Sequence, residues 1–349
     1  MVPDAEFSIS YDRALVSVKV TKSGDSQTVY EEYLYPDDSD IITLSDIDLL
    51  IEPYAEKWLV FDLEVKVIEQ LVSKNSDGAE TVTASNTETM GCTVVSCKAN
   101  ILNITAYDWC NTRFLTLIQG TRQTAIGWRE FLCFIGSDTA YCMAMYDDGT
   151  SQRHDVTVMA SGDYQMIDVS PAEFTAAGKV LVSYAIYAGQ RSQNYEVLPG
   201  MGEEVAPALI FWNSFGVQEL AYCTGEHQMV SSFDRKQARI GRKKRAYNIE
   251  EKETFKADTG ILSYPMANWW REVFRSKDVK VLPYQNGGVI LEEEGIPVVI
   301  SSEKAELSNE ADYMPRFTFE YEYADRNHNV WDSRREGRIF DNTFDYTFN

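Results

Sequence analysis

The sequence predicts a mainly β protein: two to three β-sandwich-like domains, one amphipathic helix in each of the first and last thirds, and an extended C-terminal arm. Three observations predict it. Aromatic and polar residues alternate in Phe317-Thr-Phe-Glu-Tyr-Glu-Tyr323, and a period of two sends successive side chains to opposite faces of a strand. Short runs of the same kind recur throughout, separated by turn sequences such as Asp147-Asp-Gly-Thr150 and Asn286-Gly-Gly288. Helical spacing of apolar residues stands out in only two places.

In residues 1–99, Phe7 to Tyr11, Leu15 to Val20 and Thr28 to Tyr33 read as strands, with a turn at Lys22-Ser-Gly-Asp25. Ser45 is placed to cap a helix in which Ile47, Leu50, Ile51 and Tyr54 share a face and Pro53 sets a limit. Trp58 to Leu71 reads as a long strand. The polar run Ser73 to Thr89 reads as a loop or a long hairpin tip, and Thr93 to Lys98 returns to the sheet.

Residues 100–199 have the rhythm of an immunoglobulin or fibronectin-type sandwich. Glu130 to Ile135, Thr139 to Tyr146, Asp155 to Met159, Tyr164 to Val169 and Val180 to Tyr187 are strand candidates between turn signals. Trp109, Trp128 and Tyr184 are expected in the core. A linker, Leu198 to Pro207, follows; its Gly-Met-Gly lacks the third glycine and the helix of a nucleotide loop.

Residues 208–325 open with two strands folded at Asn213 to Gly216 and continue through a long basic hairpin. The strongest helix follows over 263–275. Ser263 precedes Pro265, and Met266, Trp269, Trp270, Val273 and Phe274 make one apolar stripe. At least one of the two tryptophan rings is expected in the core. Val279 to Pro283, Val289 to Glu292, Ile296 to Ser301 and Phe317 to Tyr323 complete the strands. The first and last thirds share an order of strands, helix and strands, which suits an old duplication without residue-level identity to prove it.

Residues 326–349 form the expected arm. In it Ile339, Phe340, Phe344, Tyr346 and Phe348 line one or other face of a strand, suited to pairing with a neighbour's sheet edge.

Length and charge bound the function. A chain of 349 residues exceeds what one core organises, and 44% hydrophobic content supplies several. With 32 basic and 54 acidic residues the net charge is −22, which repels phosphate backbones and anionic membranes. Direct binding of double-stranded DNA is therefore not expected. Neither is membrane insertion, because no run of eighteen apolar residues exists. The start Met1-Val-Pro-Asp-Ala-Glu6 has neither the basic nor the apolar part of a secretory signal, so the protein is expected to be made and kept without export.

Candidate chemistry is sparse. Cys92, Cys97, Cys110, Cys133, Cys142 and Cys223 mostly sit in apolar or alternating stretches and read as buried free thiols. The Cys92-x4-Cys97 pair has no second pair or nearby His to complete a zinc site. His154, His227 and His328 lie far apart, which excludes a His-rich metal site, and no nucleophile elbow supports a serine triad. No catalytic residue and no cofactor is expected. Glycoside hydrolysis needs only two carboxylates, and Asp62 with Glu64, or Glu292, Glu293 and Glu294, supply candidates; solvated faces account for them more simply. The sharpest charge anomaly is Arg242, Lys243, Lys244 and Arg245. Two readings stand: a contact with an acidic surface, such as another copy of this chain, or a solvated hairpin tip balanced by Glu250, Glu251 and Glu253.

The segment Ile210-Phe-Trp-Asn-Ser-Phe-Gly-Val-Gln-Glu219, the helix carrying Trp269-Trp270, and Tyr35-Pro-Asp-Asp-Ser-Asp-Ile-Ile-Thr-Leu44 resemble virion structural proteins of Bacteroidetes phages and prophages. These are similar in layout to tail-tip or baseplate proteins built from β-sandwich modules, and the resemblance covers the middle and last thirds. It implies a non-enzymatic homo-oligomeric component of a phage tail, assembled in the host cytoplasm and located in the virion. Its partners would be copies of itself and neighbouring tail proteins. An alternative on the same scaffold is a carbohydrate-binding adhesion module, its partner a surface glycan of a bacterial host.

Overall fold

The computed structural model describes residues 5–9, 11–99, 101, 104–199, 207–240, 242–282, 284–285, 288–289, 295–308 and 313–324. The expected arm, 326–349, lies outside the described residues. The protein is mainly β, with several sheets and three α-helices among the described residues. It divides into two compact units, Met1–Asp108 and Trp109–Asn349. The expected break near 199–208 thus falls inside the second unit.

The first unit is built on a four-stranded antiparallel sheet in the order Asp25–Leu34, Arg13–Lys22, Val60–Lys74, Glu80–Val95. Alternation decides which face is buried. Ala14, Val16, Val18 and Val20 on one strand and Phe61, Leu63, Val65 and Val67 on its neighbour all turn inward. A two-stranded ladder of Ala5–Ser8 with Ile41–Leu44 and helix α1 (Ile47–Ala55) cover that face through Phe7, Ile42, Leu44, Ile47 and Ile51. The N-cap of α1 is Asp46 rather than Ser45. Only two residues separate the strand ending at Leu44 from the helix, and Asp46 makes the turn with φ at 58°, a conformation Asp tolerates better than most residues. Of the two readings of the polar run after Ser73 the hairpin holds: Val60–Lys74 and Glu80–Val95 form one hairpin closed by residues 75–79. The short helix α2 (Ala106–Thr112) follows, without a counterpart in the sequence expectations.

The second unit begins as a sandwich. A five-stranded sheet runs Ser151–Val156, Ala140–Tyr146, Leu181–Ala188, Arg191–Val197, Thr121–Thr124, its last pair parallel. A three-stranded sheet runs Val158–Ser161, Tyr164–Asp168, Phe131–Phe134. The segment expected as one strand over 155–159 is two, and it changes sheet at Thr157, a way of making a sandwich corner. Leu132, Phe134, Cys142, Ile167, Ile186 and the stacked Tyr184 and Tyr195 rings, 4.6 Å apart, fill the space.

The rest of the unit is a seven-stranded sheet in the order Gln218–Tyr222, Ala208–Trp212, Val279–Leu282, Ile296–Lys304, Thr318–Tyr323, Lys243–Asp258, His227–Ile240. Helix α3 (Tyr264–Arg275) lays Met266, Ala267, Trp269, Trp270 and Val273 on it, against Phe211, Val281, Phe255 and Phe319. The start of α3 is as its sequence implies. Ser263 accepts a hydrogen bond from the Met266 amide, and Pro265 lies in the first turn, where its missing N–H costs nothing. Sandwich and sheet share a core: Ala125 and Trp128 pack with Ala208, Leu220, Tyr222 and Leu282, and Trp128 stacks on Tyr222 at 4.1 Å.

Candidate functional site

The expected contact residues Arg242 to Arg245 lie at the end of a long ribbon formed by His227–Ile240 and Lys243–Asp258. Among the described residues Lys243–Asp258 pairs with the main sheet from Phe255 to Asp258. Lys252 still reaches Glu322 at 2.7 Å. From there outward the two strands pair with each other for some ten residues, a length of roughly 34 Å. Residues 228–237 and 242–246 are exposed on alternating faces, Ala238 is half-buried and Arg239 exposed. The arm residues Ile339, Phe340, Phe344, Tyr346 and Phe348 lie outside the described residues.

Two of the three histidines lie beside tyrosine hydroxyls. His154 Nε2 lies 3.1 Å from the Tyr146 hydroxyl, and His227 Nε2 lies 2.9 Å from that of Tyr321. His328 and Glu292 to Glu294 lie outside the described residues. Asp62 accepts a hydrogen bond from Thr93 at 2.9 Å. All six cysteines are free, but only Cys133, Cys142 and Cys223 are buried as expected; Cys92 is exposed and Cys97 and Cys110 are half-buried. Burial pushes the Cys133 and Cys142 thiols up to about 12. Among the described residues no three His, Cys, Asp or Glu side chains gather as a metal set.

The unexpected feature is a buried ionic cluster where sandwich and seven-stranded sheet meet. Arg122 projects inward from Thr121–Thr124, and its Nη2 sits 2.8 Å from Glu130 Oε2. The same nitrogen donates to the Leu220 carbonyl at 2.5 Å, and Nη1 faces Glu219 Oε1 at 3.6 Å. The guanidinium lies over the Trp269 ring, 4.7 Å from its centre. Glu219 is held in turn by the Trp269 indole N–H and the Asn213 amide, both at 3.1 Å. Glu272, on α3, accepts from the amide and hydroxyl of Ser214. Arg122, Glu130, Glu219 and Glu272 are each at most 3% exposed.

Burial dominates the electrostatics. It pushes Glu130 up to about 7 against the opposing pull of Arg122 and Thr124. It pushes Glu272 up to about 7, helped by the charge of Glu219 and resisted by Ser214. Burial also works against the Arg122 charge, but Glu130, Tyr195 and Glu219 outweigh it and hold the guanidinium protonated. The adjoining cavity, lined by Arg122, Trp128, Tyr222 and Trp269, has a volume of about 10 Å³, room for about one water. Such a cluster ties layers together; it admits no substrate.

A larger groove of about 340 Å³ runs over strands Lys243–Asp258 and Thr318–Tyr323. Along it Lys256 pairs with Glu320 at 2.9 Å, Asp258 with Arg316 at 2.6 Å and Lys304 with Glu306 at 3.4 Å, Glu226 accepts from Gln228 at 2.8 Å, and the aromatic lining residue, Phe319, is buried.

The sequence reading missed Arg122, Glu130, Glu219 and Glu272. One signal was present: Glu272 falls three residues after Trp269, on the apolar stripe of α3. A scan of protein-family models gives no match for this chain, and a search of curated proteins gives none either.

Proposed function

We propose that the chain is a non-enzymatic structural subunit of a phage-like tail, joined to copies of itself and to neighbouring proteins through sheet edges. The observation that carries the assembly reading is the edge strand Glu80–Val95. It is sixteen residues long, and nearly all of its side chains are exposed on both faces. A free edge is a template for another strand, and single-chain proteins usually guard it with Lys, Pro or a very short strand. Glu80–Val95 holds no Lys or Pro and is long, and one bulge, at Thr83, interrupts its ladder. A strand added there would gain main-chain hydrogen bonds along its length. The tail context rests on the sequence resemblance described above.

The test is the mass of the full chain by light scattering, beside a variant carrying Ser85→Lys and Thr87→Lys. Both positions pair with the sheet face opposite the core, at Gln70 and Ile68, so the fold should survive. The expected result is an oligomer that loses mass in the variant. A full chain that stays monomeric at every concentration would defeat the assembly reading.

A further inference from the structure

Between residues 235 and 246 the ribbon carries seven basic side chains and no acidic one. Its register sets like against like: Arg239 stands directly across from Lys244, and like charges facing each other across a strand pair are destabilising. Lys243 and Arg245, two apart, occupy the other face. The end of the ribbon is therefore basic on both faces, and an anionic surface would relieve that repulsion from either side. The complement is abundant on the chain itself, since residues 1–108 hold 20 acidic and seven basic side chains.

We propose that the basic end of the ribbon docks on the acidic N-terminal unit of a second copy of this chain. The proposal rests on the assembly reading and names the partner of one contact within it. A net charge of −22 opposes approach to a nucleic-acid duplex, whereas in an assembly the densest acidic surface near any ribbon is another copy. The contact joins two different patches: made reciprocally by one pair it closes a two-fold dimer, and made head to tail it closes into a ring or runs on as a filament.

The experiment uses the full chain and two variants, one with Arg242, Lys243, Lys244 and Arg245 all changed to Glu and one with all four changed to Gln. Circular dichroism checks that each folds. Sedimentation at about 50 mM and about 500 mM salt then reads association. The expected result is an association constant that falls at least about tenfold with salt in the unaltered chain, and by a similar factor on substitution, more for Glu than for Gln. The Glu variant, its acidic unit intact, should still bind the unaltered chain in mixtures. An unaltered chain that oligomerises while both variants match it overturns the docking contact and leaves the edge-strand reading standing. An unaltered chain that is monomeric throughout removes both. Substitution that abolishes binding to a duplex of about 30 base pairs, with self-association unchanged, overturns the proposal in favour of nucleic acid.

Discussion

Arg122 and Glu130 meet at 2.8 Å with 2% and 0% of their side chains exposed. Arg122 belongs to the sandwich, but it also bonds the Leu220 carbonyl and lies over Trp269, both parts of the seven-stranded sheet and its helix. One side chain thus reaches across the seam of the second unit. Burying charge is expensive, and its return is specificity of arrangement only where every partner is in place.

Arg122→Met should therefore cost about 3–5 kcal/mol, because Glu130 and Glu219 would be left buried without their cation. Urea unfolding should show the midpoint falling with the slope unchanged. Glu130→Gln should cost clearly less, since burial already pushes the Glu130 carboxyl up toward its neutral form. Equal losses for the two variants would contradict the proposed role of the cation.

The same burial gives a pH dependence with a definite sign. Glu130 and Glu272 are raised to about 7 from 4.5, so between those values the folded state holds protons that the unfolded state has released. The two carboxyls therefore contribute stability that is fully present below about pH 4.5 and is lost as pH rises through about 7. Each carboxyl contributes up to about 3 kcal/mol to that loss. In the Glu272→Gln variant the slope of unfolding free energy between pH 5 and 7, followed by urea titration, should flatten by up to about half.

How far the sequence reveals this molecule depends on whether inward positions are apolar. Strands Arg13–Lys22 and Ala140–Tyr146 follow the rule and were found from alternation alone. Strand Arg191–Val197 was not. Its inward residues are Arg191, Gln193, Tyr195 and Val197, so hydropathy shows no strand although burial alternates without a break. Arg191 is tolerated inside because it pairs with Asp138 at 2.7 Å and donates to the Ile135 carbonyl. Thr121–Thr124 hides for the same reason, with Arg122 and Thr124 inward. The ionic cluster was illegible because Arg122 and Glu219 come from two strands, Glu130 from the residue before Phe131–Phe134 and Glu272 from α3, and only the folded topology brings these segments together.

Gly260 marks a backbone position that no other residue can fill cheaply. Its φ is +75°, and a Cβ there would run into the Thr224 hydroxyl. Gly260→Ala adds left-handed strain, about 1–2 kcal/mol, to that collision. Thermal unfolding should drop by several degrees, while Gly149→Ala, also left-handed at φ +78° but facing open space, should show the strain alone. Equal shifts would mean that Thr224 moves aside freely.

Asn213 offers the sharpest test of the cluster, because its amide is read from both ends. Its nitrogen donates to the Leu115 carbonyl at 2.8 Å and to Glu219 at 3.1 Å, and its oxygen accepts from the amides of Phe215 and Val217. Asn213→Asp keeps the shape and the acceptor but removes both donors and sets a second carboxylate beside Glu219. At neutral pH it should cost more than about 3 kcal/mol, since a buried like-charge pair replaces a hydrogen bond. A carboxyl so placed must have its folded pKa raised, which means that the folded form gains a proton as pH falls and stability returns in acid. Unfolding of the variant should therefore approach that of Asn213→Ala near pH 4 and diverge from it above pH 6, the Asp form being the weaker. Parallel pH profiles for the two variants would show that Glu219 does not feel the charge at position 213.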